Sequence, residues 1–290
     1  YAMYITLTAN LINISLNWVL IYGKLGFPKM GVEGASLATL ISRIVMILSF
    51  IYIYIKKEEY NRFFQYFTKR LTDLDKMRDI LKTSIPLSIQ TLVEITAFSF
   101  SAVMVGWLGK VSLASHQIAM SMSSFSFMLA LGVGAAATIR VSHQYGAGDY
   151  SAMRKAGIAS IHLSVALMSI SALLYFILNK QIPLLFTNDP EVIKLASVLL
   201  IISAMFQIFD AMQLSGLASL RGVSDVKKPL YISVLSYYFV CLPLGYVLGF
   251  VFNLGAVGVW IGLLLGLLFA AVLFIRRFNI ISLKIIKGDV

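Results

Sequence analysis

The chain has 290 residues, of which 59% are hydrophobic and 13% are charged, and its formal net charge is +11. A soluble globular domain carries about 25% charged residues, so the composition argues against an ordinary soluble protein. Lys and Arg lie mainly between apolar segments, as in charge that orients membrane spans, which argues against a nucleic-acid partner. The single cysteine, Cys241, excludes an intrachain disulfide and a thiolate metal cluster.

Apolar segments long enough to cross a bilayer recur along the chain. A spanning helix needs about 20 mostly apolar residues, and eight segments meet this requirement. In chain order they cover 2–22, 32–55, 83–106, 118–141, 156–178, 193–217, 230–252 and 256–276. The sequence therefore predicts an all-α polytopic membrane protein with eight transmembrane helices.

The basic residues predict how these spans are oriented. Lys and Arg are concentrated in 56–82, the longest gap, and in alternate later segments: 140–155, 218–229 and the tail after 275. Cytoplasmic loops carry this excess, so we expect both chain ends to be cytoplasmic. The chain opens with Tyr1 inside an apolar stretch, without the charged region of a signal peptide, so we expect it to be truncated at its N-terminus.

A short glycine pattern occurs twice. Gly31-Val-Glu-Gly34 opens the second span, and Gly255-Ala-Val-Gly258 opens the eighth. Internal repeats are common in transporters. Chance is the other interpretation, because glycine is frequent in membrane helices.

Two acidic residues, Glu94 and Asp210, lie well inside predicted spans. A carboxylate at the centre of a membrane helix costs about 2.5–3.5 kcal/mol on insertion scales, so both are functional candidates. Their similar depth from the cytoplasmic side places them in one predicted pocket. Two neighbouring carboxylates resist ionising together, and such a pair can bind H⁺ or a hard cation such as Na⁺. The alternative is that each carboxylate only bonds a neighbouring helix.

Other polar residues within the spans have less specific interpretations. Gln207 and Gln213 flank Asp210 and extend a polar stripe that favours helix–helix bonding. Arg43 lies midway along the second span, where it needs water or an anionic partner. His116 lies near a span end and is predicted to be interfacial. The chain has no P-loop, GxSxG or HExxH pattern. We therefore expect that it is neither an enzyme nor an ATP-driven pump and that it holds no resident cofactor.

Three segments of the chain carry distinctive motifs. In 115–157, the small-residue run Gly132–Ala137 is followed by GAGD at 146–149. Segment 216–245 contains LRG and LPLG, and segment 10–42 contains NWVLIYGKLGFPKMGVEGASLAT. Together these segments resemble the MATE (multidrug and toxic compound extrusion) family of transporters, and the resemblance covers essentially the whole chain.

The resemblance implies a division of the chain, because MATE transporters have twelve helices in two related lobes. Residues 1–55 would be the last two helices of the N-terminal lobe, and 56–82 the cytoplasmic linker between the lobes. Residues 83–290 would then form the six-helix C-terminal lobe.

The resemblance also assigns roles to particular residues. Glu94 and Asp210 match the acidic positions of the family's cation-coupling site. If the coupling ion is Na⁺, these two residues would be its metal ligands. Some relatives have a tyrosine one turn before that Asp, where this chain has Phe206. Asp189 matches an acidic residue of the outer loop near the drug. Arg43 and Gln207 are further substrate-contact candidates.

The implied function is antiport: export of amphipathic, often cationic drugs in exchange for Na⁺ or H⁺. The expected location is the bacterial inner membrane, where the protein would act as a monomer. One alternative is a lipid-linked saccharide flippase of the same superfamily, which the single deep cation, Arg43, argues against. Another alternative is an inactive truncated fragment.

Overall fold

A computed structural model of the chain describes residues 1–57 and 73–288. Within these ranges it contains eight helices that are long and apolar enough to cross a membrane, which confirms the predicted fold class. They are α1 (Ala2–Tyr22), α2 (Gly31–Lys56), α3 (Leu74–Trp107), α4 (Lys110–Gly146), α5 (Tyr150–Ile177), α6 (Pro190–Gly222), α7 (Lys227–Val251) and α8 (Gly255–Lys287). A single helical turn, Gln181–Leu184, precedes α6.

Several helices extend beyond their predicted apolar spans. Helix α3 begins at Leu74, inside the predicted linker 56–82, and α8 continues to Lys287. Hydropathy locates the part of a helix that lies in lipid, whereas its backbone hydrogen bonds continue through polar residues beyond the bilayer. The part of the linker at 58–72 lies outside the described residues.

The GAGD motif explains why α4 and α5 are separate helices. Gly148 has φ +78°, a left-handed conformation that ends the helical path after α4. Asp149 then caps α5, because its side chain accepts a hydrogen bond of 2.9 Å from the backbone N–H of Ala152. Only residues 147–149 therefore separate the two helices, in a tight turn.

The chain divides into two compact units, Tyr1–Met77 and Arg78–Val290. In the first unit, α1 and α2 form a hairpin in which Gly34 lies directly on Leu20; a Cβ on Gly34 would be 2.8 Å from the Leu20 carbonyl group. The predicted division at 1–55, 56–82 and 83–290 into parts of two lobes stays a prediction.

Helix α6 is central to the second unit and packs against α4, α5 and α8. Small residues permit this packing. A Cβ on Gly222 would lie 2.7 Å from the Val141 side chain of α4, and one on Gly157 of α5 would lie 2.3 Å from the Phe278 ring of α8. Close approach of this kind supplies van der Waals contact, which holds helices together in a bilayer.

Helices α7 and α8 approach each other through a stripe of glycines on α8. Gly258, Gly262 and Gly266 lie one turn apart and face Leu248, Gly245 and Cys241 of α7, with no room for a Cβ. Gly255, at the start of α8, has φ +60°, and Gly31, at the start of α2, has φ +54°. Both copies of the glycine pattern thus begin with a left-handed glycine and continue with one seated on the preceding helix.

Helix α7 is irregular around Pro243. Two π-helical segments, Leu235–Cys241 and Val247–Val251, flank the α-helical turn that contains this proline. Proline has no backbone N–H, so the regular hydrogen-bond ladder cannot continue through it. Wide π turns often occur at functional sites. The first of them carries Tyr237, which contacts the candidate site.

Candidate functional site

A cavity of about 670 Å³ lies between α3, α4 and α6. Glu94 from α3 and Asp210 from α6 both line it, so the structure brings the two predicted carboxylates to one cavity. Around them the wall is largely aromatic and thioether: the lining includes Phe98, Met120, Phe127 and Phe206.

The carboxylate of Glu94 belongs to a buried hydrogen-bond network. The Tyr237 hydroxyl donates to Glu94 Oε1 over 3.1 Å, and Gln213 Nε2 lies 3.5 Å from the same oxygen. Gln213 Nε2 also donates to the Tyr237 hydroxyl over 2.8 Å. The network fixes the position of Glu94 from two other helices. Sequence reasoning did not identify Tyr237.

Asp210 faces the cavity because of its register on α6. Phe206, Asp210 and Leu214 follow one another at helical spacing, and all three line the cavity. Asp210 is only 7% exposed and lines the same cavity as Glu94. Two carboxylates that line one cavity in the membrane interior require a compensating positive charge or a proton.

The available donor atoms are oxygens, the ligand type that hard cations prefer. Glu94 and Asp210 supply carboxylate oxygens, and Tyr237 supplies a hydroxyl beside Glu94. The amide oxygen of Gln213 lies 3.0 Å from that hydroxyl. Such a set fits Na⁺ or a bound proton. Among the described residues there is no group of three or more His, Cys, Asp and Glu side chains that would suggest a transition-metal centre.

Another part of the cavity wall carries a buried histidine. His116 Nδ1 accepts a hydrogen bond of 3.1 Å from the indole N–H of Trp260, and the side chain is 1% exposed. His116 is thus enclosed by protein, and its position at the membrane interface stays a prediction. The ring centroid of Phe206 lies 5.7 Å from that of Trp260 and 6.1 Å from that of Phe98. Position 206 thus belongs to an aromatic cluster and lines the cavity without a hydroxyl.

Arg221 also lines the cavity, although its sequence position suggests a cytoplasmic loop. It lies in the last turn of α6, and its Nη2 donates to Gln90 Oε1 of α3 over 3.4 Å. Its Nε is buried and has no hydrogen-bond partner among the described residues. A basic residue other than Arg43 therefore lines the cavity.

The other three predicted contact residues lie elsewhere. Asp189 is exposed and caps α6, accepting a hydrogen bond of 2.9 Å from the backbone N–H of Glu191. Gln207 is buried, and both polar atoms of its amide have no hydrogen-bond partner within residues 1–57 and 73–288. Arg43 is exposed on α2 of the first unit. Their roles in substrate binding stay predictions.

Comparison with known sequences shows where this chain has relatives. The family model described as MatE matches residues 86–247. A probable multidrug resistance protein NorM from Rhodopseudomonas palustris is 36% identical over 282 residues, which cover 96% of this chain and 60% of the relative. A multidrug resistance protein NorM from Vibrio vulnificus is 37% identical over 275 residues, covering 93% of this chain and 60% of the relative. The chain thus spans about three fifths of the length of these relatives.

Solved structures show the same fold. One, described as the outward-facing conformation of a multidrug resistance MATE family transporter of the MOP superfamily, has a TM-score of 0.87 and 21% identity. That similarity covers 98% of this chain and 63% of the solved one. Another, of a MATE protein in the bent conformation, has a TM-score of 0.84 and 22% identity, and covers 99% of this chain and 62% of the solved one.

Proposed function

Because the chain belongs to the MATE family of integral membrane proteins, we propose that it forms the cation-coupling part of an antiporter for amphipathic organic compounds. The exchanged ion would be Na⁺ or H⁺. The observation that carries this proposal is the shared cavity, in which Glu94 and Asp210 lie beside aromatic and methionine side chains. The names of the NorM relatives, as multidrug resistance proteins, support the substrate class.

The chemistry of the cavity fits both halves of an exchange. A cation entering along its gradient would compensate the charge of Glu94 and Asp210, and each charge crossing 100 mV supplies about 2.3 kcal/mol. An amphipathic organic cation would be attracted by the same carboxylates and by the ring faces of Phe98 and Phe206. The flexible side chain of Met120 would adapt to substrates of different shape.

We propose the bacterial inner membrane as the location, with both chain ends cytoplasmic and a monomer as the transporting form. The bacterial sources of the relatives and the excess of Lys and Arg in alternate loops support this arrangement. No resident cofactor or nucleotide enters the proposed cycle, and the protein would not act as an enzyme.

A lipid-linked saccharide flippase is the less favoured function. Such a carrier needs cationic groups for a pyrophosphate, and Arg221 does line the cavity. Two carboxylates line the same space, however, and a pyrophosphate would be repelled by them. The cavity therefore favours a cation over an anionic lipid headgroup.

The proposal is tested by efflux of a fluorescent organic cation from cells that express the intact gene product. Glu94→Gln and Asp210→Asn remove one carboxylate each while keeping the side-chain volume, and we expect either to abolish ion-driven efflux. Glu191→Gln is the matched control, because Glu191 is an exposed residue in the first turn of α6. Efflux by Glu94→Gln equal to that of the control would refute the site. Collapsing the Na⁺ and H⁺ gradients in turn identifies the exchanged ion.

A further inference from the structure

Arg221 is a charged side chain whose surroundings do not account for it. Its guanidinium lines the cavity, yet its one hydrogen bond to a described residue is the 3.4 Å contact with the neutral Gln90 amide. Its Nε is buried without a partner among the described residues. Arg221 is partly buried, and a single long bond to an amide replaces little of the hydration that its guanidinium loses.

The contact with Gln90 places Arg221 beside the carboxylate of Glu94. Gln90 and Glu94 are one turn apart on α3, and side chains at that spacing lie next to each other on one helix face. Gln90 is held in place because its Nε2 donates to Ser233 Oγ over 3.0 Å. Gln90 thus links the guanidinium of Arg221 to the helix turn that carries Glu94.

The groups that face these two residues leave few other partners for the guanidinium. Asp210 lines the same cavity from α6, and the Tyr237 hydroxyl approaches Glu94 from α7. His116 lines the wall from α4, where its Nδ1 accepts from an indole. Asp210 lies eleven residues before Arg221 on α6, about 16 Å along the helix axis and out of its reach. Guanidinium and carboxylate form strong, planar hydrogen-bonded pairs, so Glu94 is the anion suited to Arg221.

We propose that Arg221 is an internal counter-ion that competes with the exchanged cation for the carboxylate of Glu94. Without a bound cation, the guanidinium moves from Gln90 to Glu94 and compensates its charge. When a cation binds, it displaces the guanidinium back toward the Gln90 amide. The return step of the cycle then proceeds with the charge of Glu94 compensated. This inference rests on the proposed function of Glu94 and Asp210.

Competition predicts the sign of a substitution at Arg221. Removing a positive charge from beside the site strengthens cation binding, whereas the loss of a merely structural residue leaves affinity unchanged or weakens it. We expect Arg221→Met to bind Na⁺, or H⁺, about tenfold more tightly than the unmodified protein, the effect of roughly one unit of pKa for a titrating pair. Arg221→Lys keeps the charge and is expected to stay close to the unmodified protein.

The experiment measures equilibrium cation binding to the purified intact gene product in lipid nanodiscs. Radioactive sodium reports Na⁺, and potentiometric titration reports protons. Arg276→Met is the matched control, because Arg276 is exposed on α8 and its loss changes the net charge equally. If Arg221→Met does not fold, Arg221→Gln provides the same test, since it removes the charge but keeps a polar end group.

The outcomes separate the two proposals. Tighter binding in the neutral Arg221 variants alone, and its disappearance when Glu94→Gln is added, supports the counter-ion. Unchanged or weaker binding in those variants, or an equal gain in Arg276→Met, overturns it. If Glu94→Gln binds Na⁺ and H⁺ as the unmodified protein does, the proposed cation site itself fails.

Discussion

Replacing Gly262 by alanine tests how tightly α7 and α8 are packed. The added Cβ would lie 2.4 Å from the N and Cα atoms of Gly245 and 3.0 Å from the carbonyl oxygen of Cys241. All three are backbone atoms, so no change of rotamer relieves the clash and the helices must separate by about 1 Å to restore van der Waals distances. Overpacking costs about 1–3 kcal/mol, and we expect the upper half of that range.

The measurement is the thermal unfolding midpoint of the purified protein in detergent micelles. A loss of about 2–3 kcal/mol lowers the midpoint by roughly 5–10 °C in a chain of this size. Gly132→Ala in α4 is the control, because a Cβ there meets nothing within 4 Å. This change is expected to be neutral or to stabilise by up to about 1 kcal/mol. A midpoint for Gly262→Ala equal to that of the control would refute the packing argument.

Three further substitutions address individual side chains. Tyr237→Phe removes the hydroxyl that donates to Glu94, and we expect the cation concentration for half-maximal efflux to rise about tenfold or more; an unchanged value would exclude Tyr237 from the site. Trp260→Phe leaves His116 Nδ1 without its donor and should lower the free energy of unfolding by about 1 kcal/mol. A denaturant titration measures this loss, and an unchanged unfolding midpoint would contradict it. Asp189→Ala should lower the stability by about 0.5–2 kcal/mol in the same titration, because alanine lacks the oxygen that caps α6. Asp189→Asn keeps a capping oxygen and should retain the stability; equal losses in the two variants would argue against the cap.

The fold and the two central acids could be predicted from sequence because lipid imposes simple rules. A spanning helix must be long and apolar, so α1 was predicted with its observed bounds, 2–22. Carboxylates are rare inside such helices, and this rarity identified Glu94 and Asp210 before any geometry was known. Their joint position on one cavity then followed from similar depth.

The remaining site residues depend on three-dimensional contacts that local sequence does not encode. Tyr237 is one of several tyrosines in apolar stretches, and it contacts Glu94 from a wide π turn of α7. Arg221 resembled ordinary loop charge because the apolar run ends before α6 does. His116 lies near an apparent span end, but the indole of Trp260, far along the chain, supplies its partner inside the protein.

The paired glycines of α2 and α8 bear on how the molecule arose. Gly31 and Gly255 each start a helix in a left-handed conformation, and Gly34 and Gly258 each seat that helix against the one before it. The same two-residue solution at the same spacing fits the internal repeat suggested by the sequence, and the duplication of one hairpin stays a prediction. A chimera in which residues 31–34 take the sequence Gly-Ala-Val-Gly of 255–258 should therefore still insert and fold.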